Sequence, residues 1–522
     1  MNISSEIPKK CFGSTPKRVL LTVFAMLILF VCGGVIYGWS PLVLIFQRYG
    51  IYSNLCPDSD PNCTERTLKL TNIFTSASTA APIGSALTGT LLLDNYGPKI
   101  TASLCVSIVT IGATIFSISL ASAIASPNDF IDLFLPGFAL IGLGSPATQV
   151  IMMQTSQLFP GSENVVMSAM SGAFGSSAIT FQLIELFDRL DIVSASDGFW
   201  IYTCVVFICV VVGLVAWPHG RNGFGRLYVK LKEKDDILMA SLEAEGLISP
   251  TEEEEERESQ SQNDPSGCTT PIEEASVSCD NLTSGTVSPV PTTPRSSSFF
   301  VRHRLAFRQV FSWPFFGFIL YGCADPLLFS VYTNNMTSII RWSVGDDEDE
   351  LNSLVLTFSI VQGFSVLCVL LGKMIDKRGL PFAFVACNVV LLVWSLLGMI
   401  QSKWAVIINF FLYTLGKQLF FSPLFSFLAS AFGFRYFGLL NSIFSLMSAL
   451  TYAFTQPLTK FILVTLNGDF RVWNCIQIFI IGLMFLFPAY LKANNLGIKE
   501  ERKKIVGERG YKSCFPNCFE PK

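Results

Sequence analysis

Apolar residues run along this chain in long blocks rather than in stripes of one helical face. A bilayer-crossing helix needs about 20 apolar residues for about 30 Å of hydrocarbon. Ten charge-free windows of that length follow one another, at 19–47, 70–93, 100–128, 133–162, 164–184, 198–218, 351–372, 379–402, 436–459 and 472–491. Two more hold one internal charge each, Asp325 in 309–334 and Lys417 in 404–429. Twelve in series predict an all-α polytopic membrane protein. The first window is too long for the h-region of a signal peptide and no small-residue cleavage site follows it, so it is expected to remain as a helix.

The polar interruptions divide the chain. Six windows at 19–218 and six at 308–491 flank a polar linker at 219–307, with short polar segments at 1–18 and 492–522. The linker begins with mixed charges at helical spacing, the pattern of an amphipathic surface helix. It continues through "TEEEEERESQSQNDPSG" and "SPVPTTPRSSS", compositions that do not fold alone. Basic residues mark one side: Lys9, Lys10, Lys17 and Arg18, then Arg221, Arg226, Lys230, Lys232 and Lys234, then Arg302, Arg304 and Arg308, then Lys499, Arg502, Lys503 and Lys504. The opposite side carries "GDDEDE" at 345–350. The positive-inside rule therefore predicts cytoplasmic termini and a cytoplasmic linker. A plasma membrane fits this layout, and so does a vacuolar or other internal membrane.

Composition narrows the chemistry. Of 522 residues 51% are hydrophobic and 14% charged, against about 25% charged in soluble domains. The net charge of -3 gives no basic surface for nucleic acid. No phosphate-loop, dinucleotide or zinc spacing occurs, and the two histidines, His219 and His303, both fall in the linker. The expectation is a protein without cofactor, metal or covalent chemistry, whose partners are a small molecule and the lipid bilayer.

The first external loop, "CPDSDPNC", holds Cys56 and Cys63, which pair in an oxidising compartment or stay as two thiols. Asn62 and Asn335 head external glycosylation sequons, and a glycan on Asn62 would crowd the neighbouring disulfide.

One turn occurs twice. "TLLLDNYGPK" ends the second window and "GKMIDKRGLP" ends the eighth; Asp94 and Gly97 recur as Asp376 and Gly379 at one constant offset. Such a repeat indicates duplicated bundles around a central cavity. With the six-plus-six layout, the paired turns resemble the major facilitator superfamily, whose signature is glycine, three residues, aspartate, two residues, glycine and basic residues. The first copy keeps Asp94, Gly97 and Lys99 but has Thr90 in place of the opening glycine. The second keeps Gly372, Asp376 and Gly379 but ends in Leu380-Pro381. The resemblance implies two six-helix bundles, with Asp94 meeting the start of helix 11 near 434–438 and Asp376 the start of helix 5 near 162–164, as a gate on the cytoplasmic side.

Three segments, "GWSPLVLIFQRYGIYSNLC" from Gly38, "FGSSAITFQLIELF" from Phe174 and "FGFRYFGLLNSI" from Phe432, resemble solute carrier family 43 and its fungal and apicomplexan relatives. That resemblance implies an amino-acid carrier for large neutral side chains, with aromatic or cationic ones as alternatives. Broken helices offer backbone N–H and C=O groups to a zwitterion. Gly33-Gly34 and Pro41 are expected to break helix 1, placing Gly38, Trp39 and Ser40 either at substrate or in a packed kink. Ser176, Ser177 and Thr180 in helix 5 serve either helix packing or substrate hydrogen bonding. Intramembrane charges face a partner or a cavity. Asp325 and Lys417 therefore pair with each other, or receive the substrate ammonium and carboxylate, or Asp325 carries a proton. Tyr332, with Asn334 and Asn335, is a candidate external gate; Gln149, Gln154 and Gln362 are further polar candidates. Glu185, Asp188 and Arg189 are expected at a solvated rim. The function expected is facilitated diffusion of amino acids by alternating access, with proton symport or a non-transporting receptor or scaffold as the other readings.

Overall fold

The computed structural model describes residues 15–56, 63–127, 129–160, 162–220, 223–231, 304–324, 326–345, 347–433 and 436–496. Asn62 and Asp325 lie outside them, and Asp94 and Asp376 are described by backbone alone. The described helices group into twelve segments, nine of which are long and apolar enough to cross a membrane. In the first half, α1 comprises Thr15–Cys32 and Trp39–Arg48, α2 runs from Thr64–Leu87 through a π turn at Thr88–Leu93, and α3 is Pro98–Ala125. Then come α4 (Phe134–Met152), α5 (Glu163–Ser176 and Ile179–Arg189) and α6 (Ala195–Ala216). In the second half α7 comprises Trp313–Gly322, a π turn at Pro326–Ser330, Val331–Asn334 and Met336–Val344. It is followed by α8 (Glu348–Gly363 and Val369–Arg378), α9 (Leu380–Leu397) and α10 (Lys403–Phe432). Last are α11 (Phe437–Tyr452 and Thr455–Lys460) and α12 (Phe470–Met484 and Leu486–Ala493).

The duplicated turn has one backbone solution. Gly97 has φ 80° and ψ 176°, and Gly379 has φ 83° and ψ 167°. A side chain there would be strained, so glycine is required. Each glycine starts a helix with proline in its first two positions, Pro98 in α3 and Pro381 in α9. Proline fits there because the first helical N–H groups have no intrahelical partner. Leu380-Pro381, a departure from the signature in sequence, thus does the same work as Pro98. These turns define the turn face; the opposite face carries a disulfide joining Cys56 to Cys63.

Lipid is as apolar as leucine, so packing and polar contacts hold spans together rather than hydrophobic burial. Each half has its own aromatic core. In the first, Trp39 lies 5.3 Å from Phe138, 5.6 Å from Phe74 and 6.2 Å from Phe46, ring centroid to centroid. In the second, Tyr332, Trp394, Tyr413 and Phe358 cluster, with Tyr332 and Tyr413 stacked at 4.8 Å. Buried Arg66 of α2 donates to the carbonyls of Ile51 and Phe46, at 3.0 and 2.8 Å, holding the chain that leaves α1.

Candidate functional site: a cavity between the halves

The breaks in α1 and α5 meet. The α-helical pattern is interrupted after Cys32 and after Ser176, and at the first break the Gly34 N–H turns to a side chain instead of its own helix. Gly34 N–H donates to Ser177 Oγ at 2.7 Å, and Ser177 Oγ donates to Phe174 O at 2.6 Å. A Cβ on Gly34 would stand 2.5 Å from Phe174 O, so only glycine allows the crossing. Tyr37 follows this break and projects toward the second half. Its ring lies 3.6 Å from the Lys417 ammonium, measured to the centroid, and its hydroxyl is 3.3 Å from that of Tyr452. Lys417 sits in the middle of unbroken α10 and is 5% exposed. A desolvated ammonium on an aromatic face gains about 2 kcal/mol from the ring quadrupole.

Beside these residues is a cavity of about 70 Å³ between the halves, which Tyr37 lines and Lys417 backs from behind the Tyr37 ring. Tyr37, Phe174, Phe421, Phe425, Phe444 and Tyr452 give it aromatic walls. Ser85, Gln149, Asn441, Ser445 and Ser448 give it hydroxyls and carboxamides. Ser448 Oγ is buried without a hydrogen-bond partner among the described residues, and such a group costs free energy until something bonds to it. The arrangement suits a small molecule with a flat or bulky apolar part and a few polar atoms.

The halves touch on both sides of this layer. Toward the turn face, Ser442 Oγ donates to Ala86 O at 2.7 Å, and a Cβ on Gly89 would lie 2.4 Å from Gly438 O. At mid-depth, Ser168 and Ser422 share a hydrogen bond and Ser176 Oγ donates to Gly363 O at 2.8 Å. Toward the disulfide face, Gln456 hydrogen-bonds Asn72.

No known family profile matches the chain. Over 95% of its length it superposes on the solved proton:xylose symporter XylE bound to 6-bromo-6-deoxy-D-glucose, with a TM-score of 0.65, 12% identity and 98% of that chain covered. This protein has the major facilitator fold. Among curated sequences it is 24% identical to Arginine transporter 1 of Toxoplasma gondii, over 95% of this chain and 91% of the relative. It is 27% identical to the human Large neutral amino acids transporter small subunit 3 over 29% of this chain and 28% of that one. It is 25% identical to Protein FMP42 of Saccharomyces cerevisiae over 43% of this chain, a match spanning less than half (45%) of that relative's length. The structural comparison gives the fold, and the relatives named as transporters place the chain among multi-pass membrane transporters rather than enzymes.

Within this major facilitator fold several expected site residues belong to packing. Trp39 is 1% exposed in the aromatic core and does not line the cavity, a correction. Ser40 is buried and Gly38 packs on Ala178, where a Cβ would stand 2.4 Å from the carbonyl, so neither reaches the cavity. Ser176 and Ser177 are spent on the seam and on the crossed breaks, and the amide of Thr180 donates to Ser177 O at 3.0 Å. Tyr332 donates to Asn409 Oδ1 at 2.9 Å and lines a separate cavity inside the second half. Asn334 and Asn335 each donate to Thr459 Oγ1 of their own half at 3.1 Å, so they do not bridge the halves. Asn335 is also 1% exposed and donates to Val331 O at 2.8 Å, which leaves no room for the glycan expected there. Of the three glutamines, Gln149 lines the cavity, Gln154 accepts from Gln157, and Gln362 is buried away from the cavity.

The rim expected at the end of α5 is an ionic knot in which the carboxylates are buried and the cations Arg48 and Arg189 reach the surface. Glu185 is fully buried and Asp188 6% exposed. Arg48, the last residue of α1, donates to Glu185 at 2.6 Å and Asp188 at 2.5 Å. Gln182 Nε2, Tyr49 Oη and the Ala195 amide complete the shell at 2.7, 2.6 and 2.8 Å. Arg189 Nε also stands 3.8 Å from Glu185, and the Arg48 side chain is 32% exposed, so Arg48→Met leaves the two buried carboxylates with a weaker counter-charge rather than none, a change of about 2–3 kcal/mol. It should lower the thermal unfolding midpoint in nanodiscs well beyond Tyr49→Phe, which removes one hydrogen bond of about 1.5 kcal/mol.

Sequence reading missed Asn441, Ser445, Ser448 and Tyr452, although the signal was present. They recur at helical spacing as the polar side of otherwise apolar α11.

Proposed function

We propose that the protein carries amino acids with large neutral or aromatic side chains by alternating access, with net flux driven by the amino-acid gradient. The observation that carries this reading is the aromatic-walled cavity between the halves, with buried Lys417 against one wall residue, Tyr37. The ammonium of Lys417 receives the substrate carboxylate, and Phe174, Phe421 and Phe444 pack on its side chain. Hydroxyl and amide groups of Ser445, Ser448 and Asn441 accept or donate to the remaining polar atoms. Among described lining residues none is acidic, which favours a neutral over a cationic side chain. Asp325 stays a candidate for the substrate ammonium.

In this reading the bundles at 19–218 and 308–491 rock about the cavity. The turns at Asp94, Gly97 and Lys99 and at Asp376 and Gly379 gate the cytoplasmic side, and the termini and the 219–307 linker are cytoplasmic. The Cys56–Cys63 loop and a glycan on Asn62 face outward, at the plasma membrane.

Uptake into proteoliposomes tests it. Labelled leucine, tyrosine, arginine and adenine are offered singly, with and without a pH gradient. Leucine and tyrosine should accumulate to equilibrium and compete with each other, arginine and adenine weakly. Flux that vanishes when a pH gradient collapses would establish symport instead. No flux of any amino acid would sink the carrier reading and leave the receptor or scaffold.

A further inference from the structure

A second concavity lies on the seam, on the side of α2 turned away from the central cavity. Its volume is about 420 Å³, and it is lined by Asn72, Thr75, Ser76 and Thr79 of α2 and by Gln456 of α11, with Ala80, Ile83 and Leu135 completing it. Residues 72, 75, 76 and 79 share one helical face. Taking about 1.5 Å per residue, Asn72 lies about 12 Å and Ile83 about 28 Å along α2 from its first residue. The groove is therefore polar near the disulfide face and apolar deeper in the membrane.

Polar side chains turned toward lipid are unfavourable unless something bonds to them. Thr75 is 8% exposed, lines the groove, and its Oγ1 has no hydrogen-bond partner among the described residues. Helical threonines usually bond back to the preceding turn, as Thr101 does to Gly97 O at 2.8 Å. Ile83 and Leu135, at the groove margin, are exposed, so the groove opens sideways, where only membrane-soluble molecules arrive. Among the described residues no charged side chain lines it. That favours a neutral head over a phosphate, which recruits lysine or arginine.

We propose that this groove binds a neutral membrane amphiphile with a single hydroxyl head and a flat apolar body, that is, a sterol. The hydroxyl bonds Thr75 and its neighbours at the polar end, and the ring system lies along Ala80 and Ile83. Because Asn72 belongs to the first half and Gln456 to the second, the bound sterol touches both halves at the disulfide face. The site is distinct from the central cavity and stands whether or not the carrier reading does.

The test needs no flux measurement. Purified full-length protein in phosphatidylcholine nanodiscs is irradiated with a diazirine analogue of cholesterol and the labelled peptides are mapped. Label should concentrate on 72–83, around Leu135 and around Gln456, and excess cholesterol should remove it. Thr75→Val combined with Thr79→Val keeps side-chain shape and should cut that labelling at least fivefold without lowering the unfolding midpoint in sterol-free nanodiscs. Ile83→Trp, which fills the groove, should do the same, whereas Leu450→Trp on exposed α11 surface should not. Label spread over all lipid-facing helices in proportion to exposure, or unchanged in both groove variants, would overturn the proposal.

Discussion

Replacing Lys417 by glutamine should reduce uptake of leucine by about two orders of magnitude. The ammonium lies at the centre of the membrane span, 5% exposed, with the Tyr37 ring 3.6 Å away. A charge-assisted bond to a carboxylate in such a place contributes about 3 kcal/mol, and about 1.4 kcal/mol is a factor of ten. Glutamine keeps length and hydrogen bonding but not charge. Arginine keeps charge but not shape and should restore part of the activity. The readout is the initial rate in proteoliposomes, normalised to protein that elutes as a single folded species. Wild-type rates in Lys417→Gln would remove the lysine from the site. Equal loss in Lys417→Gln and Lys417→Arg would mean that it serves packing only.

Gly89→Leu should abolish transport from a distance. Its Cβ would stand 2.4 Å from both Gly438 O and Ser442 Oγ, so the side chain wedges α2 from α11. Overpacking costs about 2–3 kcal/mol. On the alternating-access reading this seam opens and closes, so that cost falls on the closed arrangement and lowers its population by about 30- to 150-fold. A cysteine at Ser445, in a background without other free cysteines, should then react quickly with an impermeant thiol reagent supplied at the turn face. It should react slowly when residue 89 is glycine. Normal uptake together with slow labelling in Gly89→Leu would show that α2 and α11 need not meet here.

Much of the architecture was legible because membrane spans announce themselves by composition. The break in α1 was also legible, since Gly33, Gly34 and Pro41 each weaken a helix. The matching break at Ser177 has no proline, and it exists because α1 crosses there. Which side of a span faces a cavity was harder to read. A helix apolar all round has no periodicity to follow, so Trp39 looked like a substrate contact and is aromatic core. Glu185 and Asp188 looked solvated because their cation, Arg48, lies 137 and 140 residues away in sequence. The polar side of α11 could have been found by asking the same question of every apolar window.

Tyr37 and Lys417 come from opposite halves, so neither half alone holds the proposed site. The pocket is complete only in the fraction of molecules whose halves are together. A measured affinity is then the intrinsic one divided by that fraction. Gly89→Leu should therefore weaken equilibrium binding of substrate by the same factor by which it depletes the closed population, with every cavity residue intact. A loss of affinity in this protein is thus a statement about cavity chemistry only after the closure equilibrium has been measured alongside it.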